Sequence, residues 1–450
     1  MSTASNRRFV GSVRRQGPSV AAHSDSCPRD KSLCPSGLAW RTLWRCVACA
    51  GLFSLAVAVQ AAGIFDIRIP EEFNRVVDTN ISALTTNASV SLGAGTILEG
   101  PTWVPGDPGC LIFSVFTYMN YGNTGAGLRK LVLPNTVTTE IAPPAYTVYN
   151  GSTLDSQERL ISCQSGTAGL RVVMITNGVV TPLVSTCAGL KFYSPNDVVV
   201  KSDGTVWFTD PGFNGNQATP PQTGYQTGHY VYRFDPTNGN ATCTPVITNA
   251  SIYRPNGLCF SPDESFLYLA DYDARAIRVY SVSSNNTLSG GSIFATLPTP
   301  STTHGNPDGI RCDIDGRVYS SSKSGIWIYM PDGRLIGRII TTTGVANLCF
   351  GRTDRCTLFM TASPHILSMP LKVTGAVWRK KLQVSQTGDS SVSVAWPWPS
   401  TGFQLQTSPT MVTGTWTPVP DSPSVSNGLN ILQFNPTNSA VFFRLQIPAP

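Results

Sequence analysis

The sequence predicts an all-β chain, a six-bladed β-propeller followed by a small β-sandwich. Three observations carry that prediction. Beyond an N-terminal apolar run, no segment sustains the 3.6-residue hydrophobic period of a packed helix. The apolar stretches are short, β-branched or aromatic, and separated by clusters of Gly, Pro, Asn and Asp, as strands joined by tight turns are. One phrase, an Asp-containing turn followed at once by an apolar strand, recurs along the chain at steps of roughly 50 residues, the spacing of propeller repeats.

In chain order, residues 1–62 come first. Arg7, Arg8, Arg14, Arg15, Arg29, Lys31, Arg41 and Arg45 stand there against Asp25 and Asp30, which accounts for the whole formal charge of +6. The rest of the chain is neutral, with 24 residues of each sign, so it lacks the basic surface of a nucleic-acid binder. Residues 47–62 are apolar, follow Arg41 and Arg45, and end in small residues, the form of a signal peptide and short for a membrane span. The expectation is a leader over 1–62, cleaved near Ala61 or Ala62, and a secreted or periplasmic protein with no stable membrane insertion afterwards.

Residues 63–376 are expected to form the propeller. The six turn-and-strand phrases have their turns at Asp107, Asp155, Asp203, Asp263, Asp315 and Asp354, and their strands centre on Phe113, Ser162, Phe208, Leu269, Tyr319 and Met360. A four-stranded blade needs about that length of chain, and radial packing shields its edges. Residues 377–450 read differently. Alternating strands around Val392-Ser393-Val394, Phe403-Gln404-Leu405, Thr415-Trp416-Thr417 and Phe442-Phe443-Arg444-Leu445 predict a small β-sandwich. It holds no His or Cys, so its expected role is contact with carbohydrate or the cell surface rather than chemistry.

Eight cysteines follow the leader, with no CxxC pair and no zinc-type spacing. Several stand inside apolar strands, as in Leu258-Cys259-Phe260, and are expected to be mostly buried free thiols, with room for one disulfide that the spacing does not assign.

The chemistry is expected at one mouth of the channel, where each blade donates a group from the start of its inner strand. Glu99 in Glu99-Gly100-Pro101, Asn196 in Ser194-Pro195-Asn196-Asp197, Asn256 in Arg254-Pro255-Asn256-Gly257 and Asp308 in Asn306-Pro307-Asp308-Gly309 each precede one of the six phrases by a similar few residues. Two carboxylates and two amide carbonyls form an all-oxygen set, which suits one hard divalent cation. Ca²⁺ is the first expectation, with Zn²⁺, Mn²⁺ and Mg²⁺ open. Taken singly, Pro-Asn-Gly and Pro-Asp-Gly are ordinary turn sequences; recurrence at matching repeat positions is what marks them. Arg254 and His304 are candidates to bind substrate, Asp271 to support the metal shell, and Trp103, Tyr193 and Trp207 to stack on a sugar ring. No Gly-x-Ser-x-Gly elbow accompanies the four histidines of the chain.

These motifs, with Ser202–Pro211 (SDGTVWFTDP) and Pro307-Asp308-Gly309-Ile310, resemble the regucalcin/gluconolactonase family, most closely its gluconolactonase branch, over about residues 90–372. The resemblance implies that Glu99, Asn196, Asn256 and Asp308 bind the metal, that Asp308 is also the general base, and that Asn196 touches substrate as well. It implies metal-dependent hydrolysis of a small-molecule sugar lactone. Cys163-Gln164-Ser165-Gly166 departs from the pattern, since many relatives carry a Glu-His pair there, and the departure bears on the substrate more than on the metal. The other reading is a non-catalytic propeller, stabilised by Ca²⁺, that binds a carbohydrate or another small ligand.

Overall fold

The computed structural model describes residues 63–446 apart from breaks, the longest at 118–125, 214–222, 237–241, 377–381, 398–403, 411–415 and 436–440. The leader reading of residues 1–62 falls outside the described residues. The rest is all-β, as expected: from residue 96 to residue 370 the strands form six successive antiparallel sheets.

Each sheet contains one of the recurrent phrases. The predicted apolar strands are the second strands, Cys110–Thr117, Leu160–Ser165, Val206–Asp210, Phe266–Asp271, Val318–Ser322 and Thr357–Ala362. They are buried almost throughout, which is why they read as continuous apolar runs rather than alternating ones. The outer strands Thr136–Ile141 and Thr242–Ile247 are largely exposed, each burying only its last residue. The Asp of the turn has a mechanical role. Its carboxylate accepts backbone N–H groups two residues on, from Gln157 to Asp155 at 2.9 Å, Thr205 to Asp203 at 3.0 Å and Cys356 to Asp354 at 2.9 Å, closing an Asx-turn between the first two strands.

The first strands are Thr96–Val104, Val148–Leu154, Val198–Val200, Pro255–Phe260, Ile310–Cys312 and Asn347–Gly351. Each lies against the first strand of the next sheet, and the sixth lies against the first. Six apolar clusters fill the spaces between successive sheets, one for each neighbouring pair. Trp207 sits in the cluster between the third and fourth sheets, and Trp103 stacks on Phe359 at 5.4 Å between the first and sixth. Both are buried, as is Tyr193, whose ring centroid lies 6.0 Å from that of Tyr225.

The N-terminal strands are an addition that the repeat did not reveal. Thr85–Ser89 pairs with His365–Pro370 and becomes the fourth strand of the sixth sheet. Phe65–Ile67 adds a fifth strand to the fifth sheet, and the short helix Pro70–Val76 buries Phe73 and Val76 in the cluster between these two sheets. All eight cysteines are free, and all but Cys243 are buried.

Beyond residue 381 the strands Gln383–Gln386, Val392–Pro397, Leu429–Phe434 and Ser424–Ser426 form one sheet, and Thr417–Pro418, Gln404–Ser408 and Phe442–Gln446 another. Val394, Trp396 and Leu432 of the first meet Leu405 of the second in one apolar cluster.

Candidate active site

The starts of the first strands come so close that their backbones bond across sheets. Gly151 N–H donates to the Asn196 carbonyl at 2.7 Å, Gly257 N–H to the Asp308 carbonyl at 3.1 Å, and Gly309 N–H to the Ala346 carbonyl at 2.9 Å. A Cβ on Gly257 would stand 2.3 Å from the Asp308 carbonyl oxygen, and one on Gly100 2.2 Å from that of Asn150. Glycine follows Glu99, Asn150, Asn256 and Asp308 because a neighbouring strand occupies the space of a side chain. The Pro-Asn-Gly and Pro-Asp-Gly signatures thus record close approach between sheets rather than turns.

That approach gathers polar groups from different sheets. Glu99 is buried; its Oε2 accepts from Gly100 N–H at 2.8 Å and from Asn347 Nδ2 of the sixth sheet at 3.0 Å. Burial pushes its carboxyl up to about 7, with Asp197 adding to the rise and these donors and Arg311 opposing it. Asp308, half-buried, is held well above the usual carboxylate range by burial first and then by the charges of Glu99 and Asp197, against a hydrogen bond from the Asn256 side chain. Asn256 is buried, and its Oδ1 has no hydrogen-bond partner. Glu99, Asn256 and Asp308 are therefore brought into one group.

Asn196 enters through its neighbour. Its own N–H donates to the Thr209 carbonyl at 2.9 Å, while Asp197 crosses to the fifth sheet, where Arg311 Nη1 lies 3.3 Å from Asp197 Oδ2. This ion pair, unnoticed in the sequence, lies in the field of both Glu99 and Asp308. Asn150 was also missed. It is buried, its Oδ1 has no partner, and Asn150-Gly151 stands in the second sheet where Asn256-Gly257 stands in the fourth. The sequence signal was an Asn-Gly placed a few residues before the Asp155 turn.

Two further carboxylates set the loops that lead into the site. Asp210, the last residue of its strand, accepts Tyr193 N–H at 2.9 Å and Ser194 N–H at 2.5 Å. Burial raises its carboxyl to about 7 despite these donors. Asp271 holds the same place one sheet on, accepting Arg254 N–H at 3.0 Å and Arg278 Nε at 2.8 Å. The Arg254 side chain pairs with Asp273 at 3.2 Å and lies over the Phe213 ring, 5.2 Å from its centroid. Phe213 packs on Tyr272, which feels the charge of Asp308. His304 has a separate setting: its Nδ1 meets Arg338 at 3.1 Å and its ring meets Trp327 edge-on at 5.4 Å. Gln164, in the departing segment, is fully buried and accepts Arg171 Nε at 2.6 Å.

Residues 99–364 match the family model described as the SMP-30/Gluconolactonase/LRE-like region, a stretch that begins at Glu99 and takes in all six second strands. The chain belongs to this family. A gluconolactonase of Zymomonas mobilis is 28% identical over 288 residues, spanning 62% of this chain and 79% of that protein. A lactonohydrolase of Aspergillus oryzae is 26% identical over 206 residues, 42% of this chain and 46% of its own. Among solved structures, a gluconolactonase of Xanthomonas campestris superposes with a TM-score of 0.57 at 28% identity, covering 68% of this chain and 94% of that one. The matched stretch of the SMP-30/gluconolactonase family includes every residue of the group around Glu99 and Asp308.

Proposed function

We propose that the chain hydrolyses a sugar lactone with one divalent cation held by Glu99, Asn196, Asn256 and Asp308. The observation that carries it is the convergence of two carboxylates, Glu99 and Asp308, with the unpartnered Oδ1 of Asn256. A surplus of buried oxygen donors fits a hard cation. Among the described residues no group of three or more His, Cys, Asp or Glu is placed to hold a metal ion; the proposed set draws half its oxygens from amides. When bound there, a cation such as Ca²⁺ supplies a Lewis acid for the lactone carbonyl.

The chain's own groups do the rest. Water bonds to the carbonyl carbon as its proton passes to Asp308, and the proton returns to the ring oxygen as the ring C–O bond breaks, leaving an open hydroxy acid. Asn256 orients the Asp308 carboxyl through its hydrogen bond. Asn196 contacts substrate, and Arg254, beside Phe213 and Tyr272, binds a substrate oxygen.

The six sheets are read as the blades of a six-bladed propeller over residues 63–376, supported by first strands that contact one another from the first sheet round to the sixth and back. Residues 377–450 are read as a β-sandwich, supported by two sheets sharing one apolar cluster, with carbohydrate or cell-surface contact as its role. Residues 1–62 are read as an export leader.

The test is lactone hydrolysis, followed as acid release on glucono-1,5-lactone and a small lactone panel, with added Ca²⁺, Mn²⁺ or Zn²⁺ or with chelator. Turnover that chelator abolishes, and that Asp308→Asn lowers by about 10²-fold or more without unfolding the chain, is the expected result. Metal-loaded, folded protein inactive on every lactone overturns it.

A further inference from the structure

Each first strand carries a site position at its start and, a few residues on, a residue that lines a cavity at its other end. Asn256 is followed by Cys259, Asp308 by Arg311 and Cys312, and Glu99 by Trp103, and these later residues face a partly open cavity of about 160 Å³. Within that lining Cys259 and Cys312 touch, with Sγ atoms 3.6 Å apart across the fourth and fifth sheets, both buried. The pair is separated by 53 residues in sequence. A disulfide needs about 2.0 Å between sulfurs, so closing the bond asks for a side-chain rotation rather than a new fold.

We propose that Cys259 and Cys312 form an oxidation site, a dithiol that a small hydroperoxide entering the cavity converts into a disulfide tying the fourth sheet to the fifth. The cavity has room for several water-sized molecules, a water needing about 10–15 Å³ on the same measure, so hydrogen peroxide can reach its lining. One sulfur, having lost its proton, bonds to a peroxide oxygen; the O–O bond breaks, giving a sulfenic acid and one water. The partner sulfur then attacks that sulfenic sulfur; the S–O bond breaks, the S–S bond forms, and a second water leaves. Two thiols and one hydrogen peroxide thus yield one disulfide and two waters. Burial holds the Cys312 thiol well above its ordinary value, with the contact to Cys259 and the charge of Asp313 adding to the rise and Arg311 opposing it, so the first step is slow and needs peroxide in excess. Cys349 lines the same cavity, but the sulfur–sulfur contact within the lining is that of Cys259 with Cys312. Cys187, which donates to the Cys243 carbonyl at 3.1 Å, is not among the cavity residues.

The bond would join the two strands that present Asn256 and Asp308. It is tested on the full chain treated with hydrogen peroxide, beside a sample kept in reductant, by intact mass, alkylation and peptide mapping. The expected result is a loss of about 2 Da, a linked peptide pair containing Cys259 and Cys312, and a thermal midpoint raised by roughly 3–6 °C that thiol reductant reverses. Cys259→Ser and Cys312→Ser each stop the mass loss and leave a sulfenic acid on the remaining partner that dimedone traps, whereas Cys349→Ser forms the bond as before. Peroxide-treated chain in which both residues still alkylate, or whose crosslinks lie only elsewhere, as between Cys187 and Cys243, overturns the proposal. The peptide map of the unsubstituted chain decides this whether or not a variant folds.

Discussion

Glu99 and Asp308 are acids placed where charge is unfavourable. Burial and neighbouring carboxylates raise both, Glu99 to about 7. In the absence of cation the folded chain therefore keeps protons that the unfolded chain has released. The stability held below the unfolded carboxylate range, near 4.5 for Glu99, is lost as pH rises through about 7. A cation held by these carboxylates reverses that loss. Thermal midpoints measured from pH 5 to pH 8 should fall with rising pH in chelator, and the increment from added Ca²⁺ should grow over the same range. Glu99→Gln should lessen both trends, with Asp308 and Asp210 keeping part of the fall in chelator; a calcium increment independent of pH would contradict the ligand assignment.

At the scale of the strand, the glycines after the site residues connect sequence to chemistry. Gly257→Ala places a methyl 2.3 Å from the Asp308 carbonyl. The fourth and fifth sheets must then separate, at a cost of about 2–4 kcal/mol, and Asp308 moves with its backbone. Gly178 makes the comparison. Its φ is +77° and nothing lies within 4 Å of its Cβ position, so Gly178→Ala should cost about 1 kcal/mol and leave turnover unchanged. Chemical denaturation and lactone kinetics on the two variants separate the effects. The motif residues Asn256 and Asp308 were legible because the repeat placed them alike. Asn150 escaped because it lacks the preceding proline that made the others conspicuous. Asp197 and Arg311 escaped for another reason: they are 114 residues apart, and local pattern says nothing of partners across a ring of strands.

On the scale of the whole molecule, closure depends on the chain's beginning. Thr85–Ser89 completes the sheet that otherwise ends at His365–Pro370, so the sixth sheet is held by residues from both ends of the 63–370 region. Starting the chain at residue 91 should expose the His365–Pro370 edge, remove Phe65–Ile67 and the helix Pro70–Val76 from the fifth and sixth sheets, and lower the thermal midpoint by about 5 °C or more. Ending it at residue 376 removes strands with an apolar cluster of their own, and lactone turnover should stay within about twofold. Calorimetry and kinetics on both truncations check the contrast.

The sequence by itself determined the all-β class, the position of every second strand and the motifs of the SMP-30/gluconolactonase family, because turn chemistry and apolar runs are local. Tertiary structure alone decided which further groups meet. It bonded Asn347 to Glu99, set Asp197 against Arg311, and gave His304 to Arg338 and Trp327. It also supplied the N-terminal strand that completes the sixth sheet. The physical reason is that contacts between strands of different sheets depend on the packing of neighbouring sheets; the repeated glycines mark where strands approach, but nothing local names the side chain that stands opposite.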